Sequence, residues 1–240
     1  MNLKDQIPSL LEELADLSFS EALARMANRF PGSIAFSTAL GQEDQVITHA
    51  IFSEKLPIRI FSLDTGRLFQ ETYALWSETE RLYQSKIEPF FPQANEVEAY
   101  VSRDGINGFY DSVESRKACC HVRKVLPLTR ALQGVDIWVT GLRSGQSANR
   151  SSFNLLEWDE VFQVIKFNPI INWSFDEMLA YLQEHQVPYN KLHDQGFVSI
   201  GCAPCTRAIQ PGEEPRAGRW WWEQTQKECG LHANYFNQNN

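Results

Sequence analysis

Ser33-Ile-Ala-Phe-Ser37 is a short apolar run, Thr38-Ala-Leu-Gly41 is a compact loop, and Gln42 to Ser53 has helical spacing. Strand, tight loop and helix in that order put a helix N-terminus at the loop. Its free amides and dipole suit an anion. The loop has neither G-x-G-x-x-G nor the lysine of a Walker loop, so an ordinary strand-to-helix turn is an equal reading. Ile58-Arg-Ile-Phe-Ser-Leu63 repeats the pattern. This second apolar strand ends in Asp64-Thr65-Gly66-Arg67 and runs into a helix from Gln70 to Lys86. Polar groups at the C-terminal end of a strand are where open parallel sheets bind ligands.

Outward from these two units the alternation continues. A third short strand is expected from Glu88 to Phe91, with helices over Glu96 to Val101 and Lys117 to Leu132. Asp136-Ile-Trp-Val-Thr140 is the next strand and opens into Gly141-Leu-Arg-Ser-Gly-Gln-Ser-Ala-Asn-Arg150. Leu155 to Ile165 reads as a hairpin with Trp158-Asp159-Glu160 near its turn, and Ser174 with Glu177 caps a helix to about Glu184. Upstream, residues 9 to 29 read as helix broken near Ser18, where Ser18 and Glu21 have capping-box spacing. Pro31-Gly32 ends it. Strands alternating with helices predict an α/β fold with a mostly parallel sheet. The expected organisation is a single domain over 1–240. It has a helical preface at 1–30, the α/β core at 31–186, an irregular segment rich in Pro, Gly and Trp at 187–232, and a frayed tail at 233–240. The irregular segment is expected to lie over the sheet's open end rather than to form a core of its own.

The bulk numbers bound the function. The chain has 240 residues, 43% hydrophobic and 22% charged, enough to bury a real core. A net charge of -8 disfavours wholesale binding to nucleic acid or an anionic membrane, and leaves room for a local basic site. No apolar run has the length of a membrane span, and the N-terminus lacks the apolar core of a signal peptide, so the expected location is cytoplasmic. In a reducing compartment, five cysteines with two adjacent read as metal ligands or catalytic thiols before disulfides.

Cys119-Cys120 stands at the opening of the expected helix 117–132, and Cys202-Ala-Pro-Cys205 sits in a turn. Four thiolates in two pairs suit a tetrahedral zinc or a four-iron cluster. The C-x-x-C pair alone also fits a redox dithiol, and Cys119 or Cys120 also fits as a buried small hydrophobe. Neighbouring cysteines at a helix start converge poorly on one small ion, whereas a cubane offers a separate iron to each sulfur. The spacing therefore favours a cluster over zinc. Lys117, His121, Arg123 and Lys124 flank the first pair and Arg207 follows the second, which points to an anion pocket nearby. The fifth cysteine, Cys229, lies beside Gly230 and three residues before His232. A thiol is nucleophilic as the thiolate, and Arg216, Arg219, Lys227 and His232 supply a field that favours that form. The competing reading of this window is an amphipathic helix with Trp220 to Trp222 as core.

Several motifs now stand in order: Leu63-Asp-Thr-Gly-Arg67; Cys119-Cys-x-x-Arg-Lys-Val125 with Pro127-Leu128; Gly141-Leu-Arg143 with Gln146-Ser147 and Arg150; Ser199-Ile-Gly-Cys-x-Pro-Cys-Thr206; Arg216-Ala-Gly-Arg-Trp-Trp-Trp222; and Lys227-Glu-Cys-Gly-Leu-His232. Over residues 33 to 232 the chain resembles the thioredoxin-dependent assimilatory adenylyl-sulfate reductases, relatives of the phosphoadenylyl-sulfate reductases. The resemblance implies a Rossmann-like adenine-nucleotide hydrolase fold of the PP-loop kind, with a nucleotide-binding core and a C-terminal segment over the active site. It implies a [4Fe-4S] cluster on Cys119, Cys120, Cys202 and Cys205. The implied reaction is reduction of adenosine 5′-phosphosulfate to sulfite and AMP through an S-sulfocysteine on Cys229, with thioredoxin as electron donor. Lys124, Arg150, Arg216, Arg219 and His232 are assigned to the developing charge. Ser37, Thr38, Leu63, Asp64, Thr65, Gly66, Arg67 and Arg143 are assigned to the nucleotide. A homo-oligomer is implied by the resemblance alone.

One departure bears on the substrate. The loop Ser37-Thr-Ala-Leu-Gly-Gln-Glu-Asp44 is longer than the Ser-Gly-Ala-Glu-Asp loop common in the adenylyl-sulfate enzymes, and nearer in length to that of the phosphoadenylyl-sulfate enzymes. A phosphoadenylyl-sulfate or dual-substrate reductase is the enzymatic alternative. An iron–sulfur or zinc binding module is the non-enzymatic one, and it leaves Cys229 without a role. A nucleotide-activating enzyme of the same sheet family would need a Ser-Gly-Gly-x-Asp-Ser loop, which the chain lacks.

Overall fold

A computed structural model describes residues 2–146 and 153–223. These residues form two compact units that interleave along the chain. One comprises residues up to Ser62, Gln70–Glu88 and Leu132–Lys191. The other comprises Leu63–Phe69, Pro89–Ala131 and the described residues from Leu192.

In the first unit, α1 (Ile7–Leu14) and α2 (Phe19–Arg29) are separated at Ser18. The Ser18 hydroxyl accepts from the Glu21 amide, and the Glu21 carboxylate accepts from the Ser18 amide at 2.9 Å, so each satisfies a donor the helix start leaves open. The sheet follows: β1 (Ile34–Thr38), β2 (Arg59–Leu63), β3 (Glu88–Phe90), β4 (Ile137–Val139), β5 (Leu156–Asp159) and β6 (Val164–Phe167), in the order β3-β2-β1-β4-β6-β5. β1 is parallel to β2 and to β4, β4 is parallel to β6, and β5 closes the edge antiparallel to β6. The helices α3 (Gln42–Ser53), α4 (Gln70–Tyr83) and α8 (Phe175–Glu184) belong to the same unit. Phe36, Ile47, Val139, Phe167 and Met178 are fully buried in its core. Because β2 and β4 flank β1, the strand order reverses there. The loops leaving the C-terminal ends of β1 and β4 diverge at this switch point, where such sheets hold ligands.

The second unit contains α5 (Ala94–Asp104), α6 (Val113–Cys120) and α7 (Leu126–Ala131). The Ser112 hydroxyl caps α6 by accepting from the Ser115 amide at 3.0 Å, so the helix begins at Val113 and not at Lys117. Cys119 and Cys120 therefore close α6. They do not open a helix, which corrects the expectation built on a helix start. A π-helical turn follows at His121–Val125. Pro127 has no N–H for the Arg123 carbonyl four residues back, and the widened turn lies at that point. From Leu192 the irregular chain contributes Cys202, Cys205 and Trp220 to a small apolar cluster with Tyr100, Phe109 and Cys119. That shared core was concealed by the segment's irregular pattern. No helix among the described residues is long and apolar enough to cross a membrane.

Candidate active site

At the switch point of the first unit, β1 ends in Ser37 and Thr38. Leu40 turns the chain with φ 59°, and the Ala39 and Gly41 amides donate to Asp44 Oδ2 at 2.7 and 3.3 Å. Two amides of the loop expected to suit an anion thus already hold a resident carboxylate. Gly141, in the loop after β4, faces the same group: a Cβ there would stand 2.1 Å from Asp44 Oδ1. The expected nucleotide residue Arg143 is 5% exposed and pairs with Glu43 Oε1 at 3.0 Å. The Ser37 hydroxyl accepts from Trp138 Nε1 at 2.8 Å, and Thr38 Oγ1 accepts from the Leu40 amide at 2.9 Å.

Leu63 to Arg67 belong to the second unit. Asp64 Oδ1 accepts from the Gly66 amide at 2.8 Å, and Gly66 takes φ 70°, a conformation that costs glycine least. The loop is bonded directly to the cysteine turn. Thr65 Oγ1 lies 3.3 Å from Cys202 Sγ, and the Ala203 amide donates to the Arg67 carbonyl at 2.8 Å. Arg123 Nη1 donates to the Thr65 carbonyl at 2.7 Å. The Arg67 guanidinium donates to the Ile106 carbonyl and stands 4.9 Å from the Phe109 ring centroid.

Within this unit Cys119, Cys120, Cys202 and Cys205 line a single pocket. All four are buried and free of disulfides. Arg67, Arg116, Arg123, Lys124 and Arg219 line it too, and no described lining residue is acidic. Arg123 and Arg219 are 7% and 6% exposed, and the Nε of each is buried without a hydrogen-bond partner among the described residues. Burial pushes the Cys205 thiol up to about 12, reinforced by Cys202 and opposed by Lys124 and Arg219. Burial also raises Cys119, with Arg123 opposing it. Without compensation these thiols stay neutral; a metal-bound sulfur must be a thiolate, and cations beside it stabilise that form. Among the described residues no group of three or more His, Cys, Asp or Glu is placed to hold one metal ion.

Arg219 and Trp220, from the segment 206–223 (the C-terminal strap), also line the pocket. Thr206 and Arg219 form an isolated antiparallel bridge, the Arg207 amide donates to the Gly218 carbonyl at 2.9 Å, and the Trp220 amide donates to the Cys205 carbonyl at 3.2 Å. Trp220 is 1% exposed with φ 41°, and the guanidinium groups of Arg116 and Arg219 each stand 4.7 Å from its ring centroid. Its role is packing, whereas Trp221 is 39% exposed. Arg216 stands 6.0 Å from the Trp220 ring and is not among the cavity's lining residues.

The structure therefore brings together Thr65, Arg67, Lys124, Arg219 and the four cysteines. It places Ser37 and Thr38 at the end of β1 and Arg143 on the loop after β4, all in the first unit. Arg150, Cys229 and His232 lie outside the described residues. Arg116 and Phe109 were missed. Arg116, Cys119, Cys120 and Arg123 have the three- and four-residue spacing of one helix face, a signal that appears once the helix is started at Val113.

Parallel strands with a loop site at their switch point, together with a buried thiol centre among cations, define a Rossmann-like α/β protein with a cysteine-based site. Residues 33–208 match the family described as phosphoadenosine phosphosulfate reductase domain, and the chain belongs to that family. It is 49% identical over 233 residues to an adenosine 5′-phosphosulfate reductase of Agrobacterium fabrum, covering 97% of this chain and 89% of that one. It is 55% identical over 205 residues to that of Allochromatium vinosum, covering 85% and 80%. The solved phosphoadenylyl-sulfate reductase of Candida auris, a phosphate complex, aligns with TM-score 0.72 at 29% identity over 86% of this chain and 97% of that one.

Proposed function

We propose that the chain reduces adenosine 5′-phosphosulfate to sulfite and AMP, with a [4Fe-4S] cluster on Cys119, Cys120, Cys202 and Cys205 and with thioredoxin as donor. The observation that carries this reading is the convergence of two remote cysteine pairs, buried and unbridged, on one cavity lined by cations. Family membership and 49–55% identity to enzymes named for that substrate support it.

The donor set fits the group. Four thiolates need compensating cations, and Arg123 and Arg219 each keep a buried Nε with no hydrogen-bond partner among the described residues. Thiols spread around a cavity suit a group that presents separate irons to separate sulfurs. When bound, the cluster supplies a fixed anionic, structural centre that holds Arg123 and Lys124 in place.

The chemistry belongs to the chain's own residues. The Cys229 thiolate attacks the sulfur of the substrate's sulfo group. A sulfur–sulfur bond forms, the sulfur–oxygen bond breaks, and AMP leaves with the electron pair. A thioredoxin thiolate then attacks Cys229 Sγ and sulfite leaves with its electron pair. The second thioredoxin thiol resolves the mixed disulfide. Attack of an anion on an anion needs fixed positive charge. Lys124, Arg150, Arg216, Arg219 and His232 take that role. Ser37, Thr38, Leu63 to Arg67 and Arg143 hold the nucleotide.

The longer Ser37–Asp44 loop makes phosphoadenylyl sulfate the second candidate substrate. Asp44 occupies the Ala39 and Gly41 amides of that loop, and Glu43 pairs with Arg143 of the loop after β4, so these groups are engaged without a 3′-phosphate, which favours the nucleotide that lacks one. The test is anaerobic incubation of cluster-loaded protein with each sulfur-labelled nucleotide and no reductant, followed by digestion. Label on the Cys229 peptide, released as sulfite by thioredoxin, is expected, and faster from adenylyl sulfate. Absence of label from both nucleotides would overturn the reading and favour a binding module.

A further inference from the structure

We propose that Trp138 is a positioning residue for the nucleotide: its indole N–H holds the Ser37 hydroxyl so that Ser37 presents its own proton to the substrate. The proposal rests on the reading that Ser37 touches the nucleotide. Trp138 is 1% exposed in β4, and its Nε1 donates to Ser37 Oγ at 2.8 Å. In the parallel register Trp138 stands beside Ala35 of β1. Ser37 is two positions further toward the C-terminal end of that strand, so it shares the face of Ala35. The small side chain of Ala35 leaves the indole room to reach along that face.

The hydrogen-bond inventory gives the direction. An indole N–H only donates, and a hydroxyl has one proton and two lone pairs. With one lone pair filled by Trp138, the Ser37 proton is directed elsewhere and needs an acceptor. A phosphate oxygen or a ring nitrogen of an adenine nucleotide is such an acceptor. The site lies at the end of β1, where parallel sheets present ligand contacts.

The ring is fixed independently of Ser37. Trp138 is in register with Lys166 of β6, whose ammonium stands 5.3 Å from the indole centroid. Lys166 is held by Asp159 Oδ2 at 2.8 Å, with both side chains 10% exposed. Phe162 meets the indole edge-on at 5.7 Å between centroids. The N–H direction is therefore set by packing before any ligand arrives, which lowers the cost of ordering the serine on binding.

The test compares Trp138→Phe, Ser37→Ala and the double variant in the cluster-loaded enzyme. Trp138→Phe keeps a ring and removes the donor. KM for adenylyl sulfate is expected to rise roughly fivefold, the scale of one hydrogen bond, with kcat little changed. In the Ser37→Ala background the same substitution should add nothing. An equal rise in both backgrounds, or a raised KM in Ser37→Ala with none in Trp138→Phe, overturns the proposal. An unchanged KM in Ser37→Ala removes Ser37 from the nucleotide site and the proposal with it, while labelling of Cys229 still decides the reaction. Should Trp138→Phe fail to fold, the indole N–H resonances of isotope-labelled wild type and Ser37→Ala replace it. One resonance is expected to move upfield on loss of its acceptor, and an unchanged indole spectrum overturns the proposal.

Discussion

Nε of Arg116 stands 2.5 Å from Oε1 of Glu223, and both side chains are 3% exposed. Arg116 lies on α6, three residues before Cys119, while Glu223 follows the tryptophan run of the strap. The pair therefore ties the strap to the helix that carries the first two cysteines. Removing one member of a buried ion pair costs about 3–5 kcal/mol, whereas replacing both with apolar side chains costs much less. Arg116→Met and Glu223→Leu are each expected to lower unfolding free energy by about that amount, and the double variant by clearly less than the sum. Urea unfolding of the four proteins measures it. Simple additivity would show that the two charges do not depend on each other.

The parts that were legible in the sequence are those set by local rules. Ser18 and Ser174 announced their helices through capping boxes, and the apolar runs before Thr38, Asp64 and Thr140 announced the parallel strands. The start of α6 was not legible, because Ser112 caps it without a glutamate partner and Arg116 breaks the apolar pattern while being 2% exposed. Its burial depends on Glu223, far along the chain, and no local window contains that pair. The same holds for the interleaved units: the core shared by Tyr100, Cys119 and Cys205 comes from long-range packing. The four cysteines were legible as a set by type and pairing. The cations actually lining their cavity depended on the helix register.

Iron content separates the cysteine roles. Cys119→Ser and Cys205→Ser remove thiols that line the cavity, so each is expected to lose most iron and acid-labile sulfide, with the visible absorbance of the cluster. Cys229→Ser is expected to keep full iron and to lose turnover. Iron retained in both cavity variants would exclude these thiols as ligands, and iron lost in Cys229→Ser would make that residue a ligand and not the nucleophile.

Acid sensitivity should run through His49. Its Nδ1 is 2.9 Å from the Tyr83 hydroxyl and 3.1 Å from Ser53 Oγ, and its ring lies 5.0 Å from that of His185. Burial pushes Tyr83 up to about 12, so its hydroxyl keeps the proton it can donate. Burial lowers His49 below the ordinary 6.5, the charge of His185 lowers it further, and Glu54 opposes both. The folded protein thus binds this proton less tightly than the unfolded chain. The contribution is fully present above pH 6.5 and is lost as pH falls through the folded value. The unfolding midpoint should decline with acid below that point, and His49→Gln should flatten this part of the profile. An unaltered slope in the variant would assign the acid response to other groups.

A glycine decides where Arg219 sits. A Cβ at Gly201 would stand 2.3 Å from Arg219 Nη2 and 2.7 Å from Cζ. The guanidinium has little room to retreat: it is 6% exposed, bonded through Nη1 to Ser199 Oγ and the Ile200 carbonyl at 3.4 Å, and stands 4.7 Å from the Trp220 centroid. Gly201→Ala should therefore move the cation without deleting it. The expected effects are a stability loss of about 1–3 kcal/mol from overpacking and a fall in kcat/KM on the order of tenfold, with iron content unchanged. In an Arg219→Ala background the added methyl meets no guanidinium, so both effects of Gly201→Ala should largely vanish there. If the methyl lowers kcat/KM as much without the arginine as with it, the glycine serves the cysteine turn and not the cation.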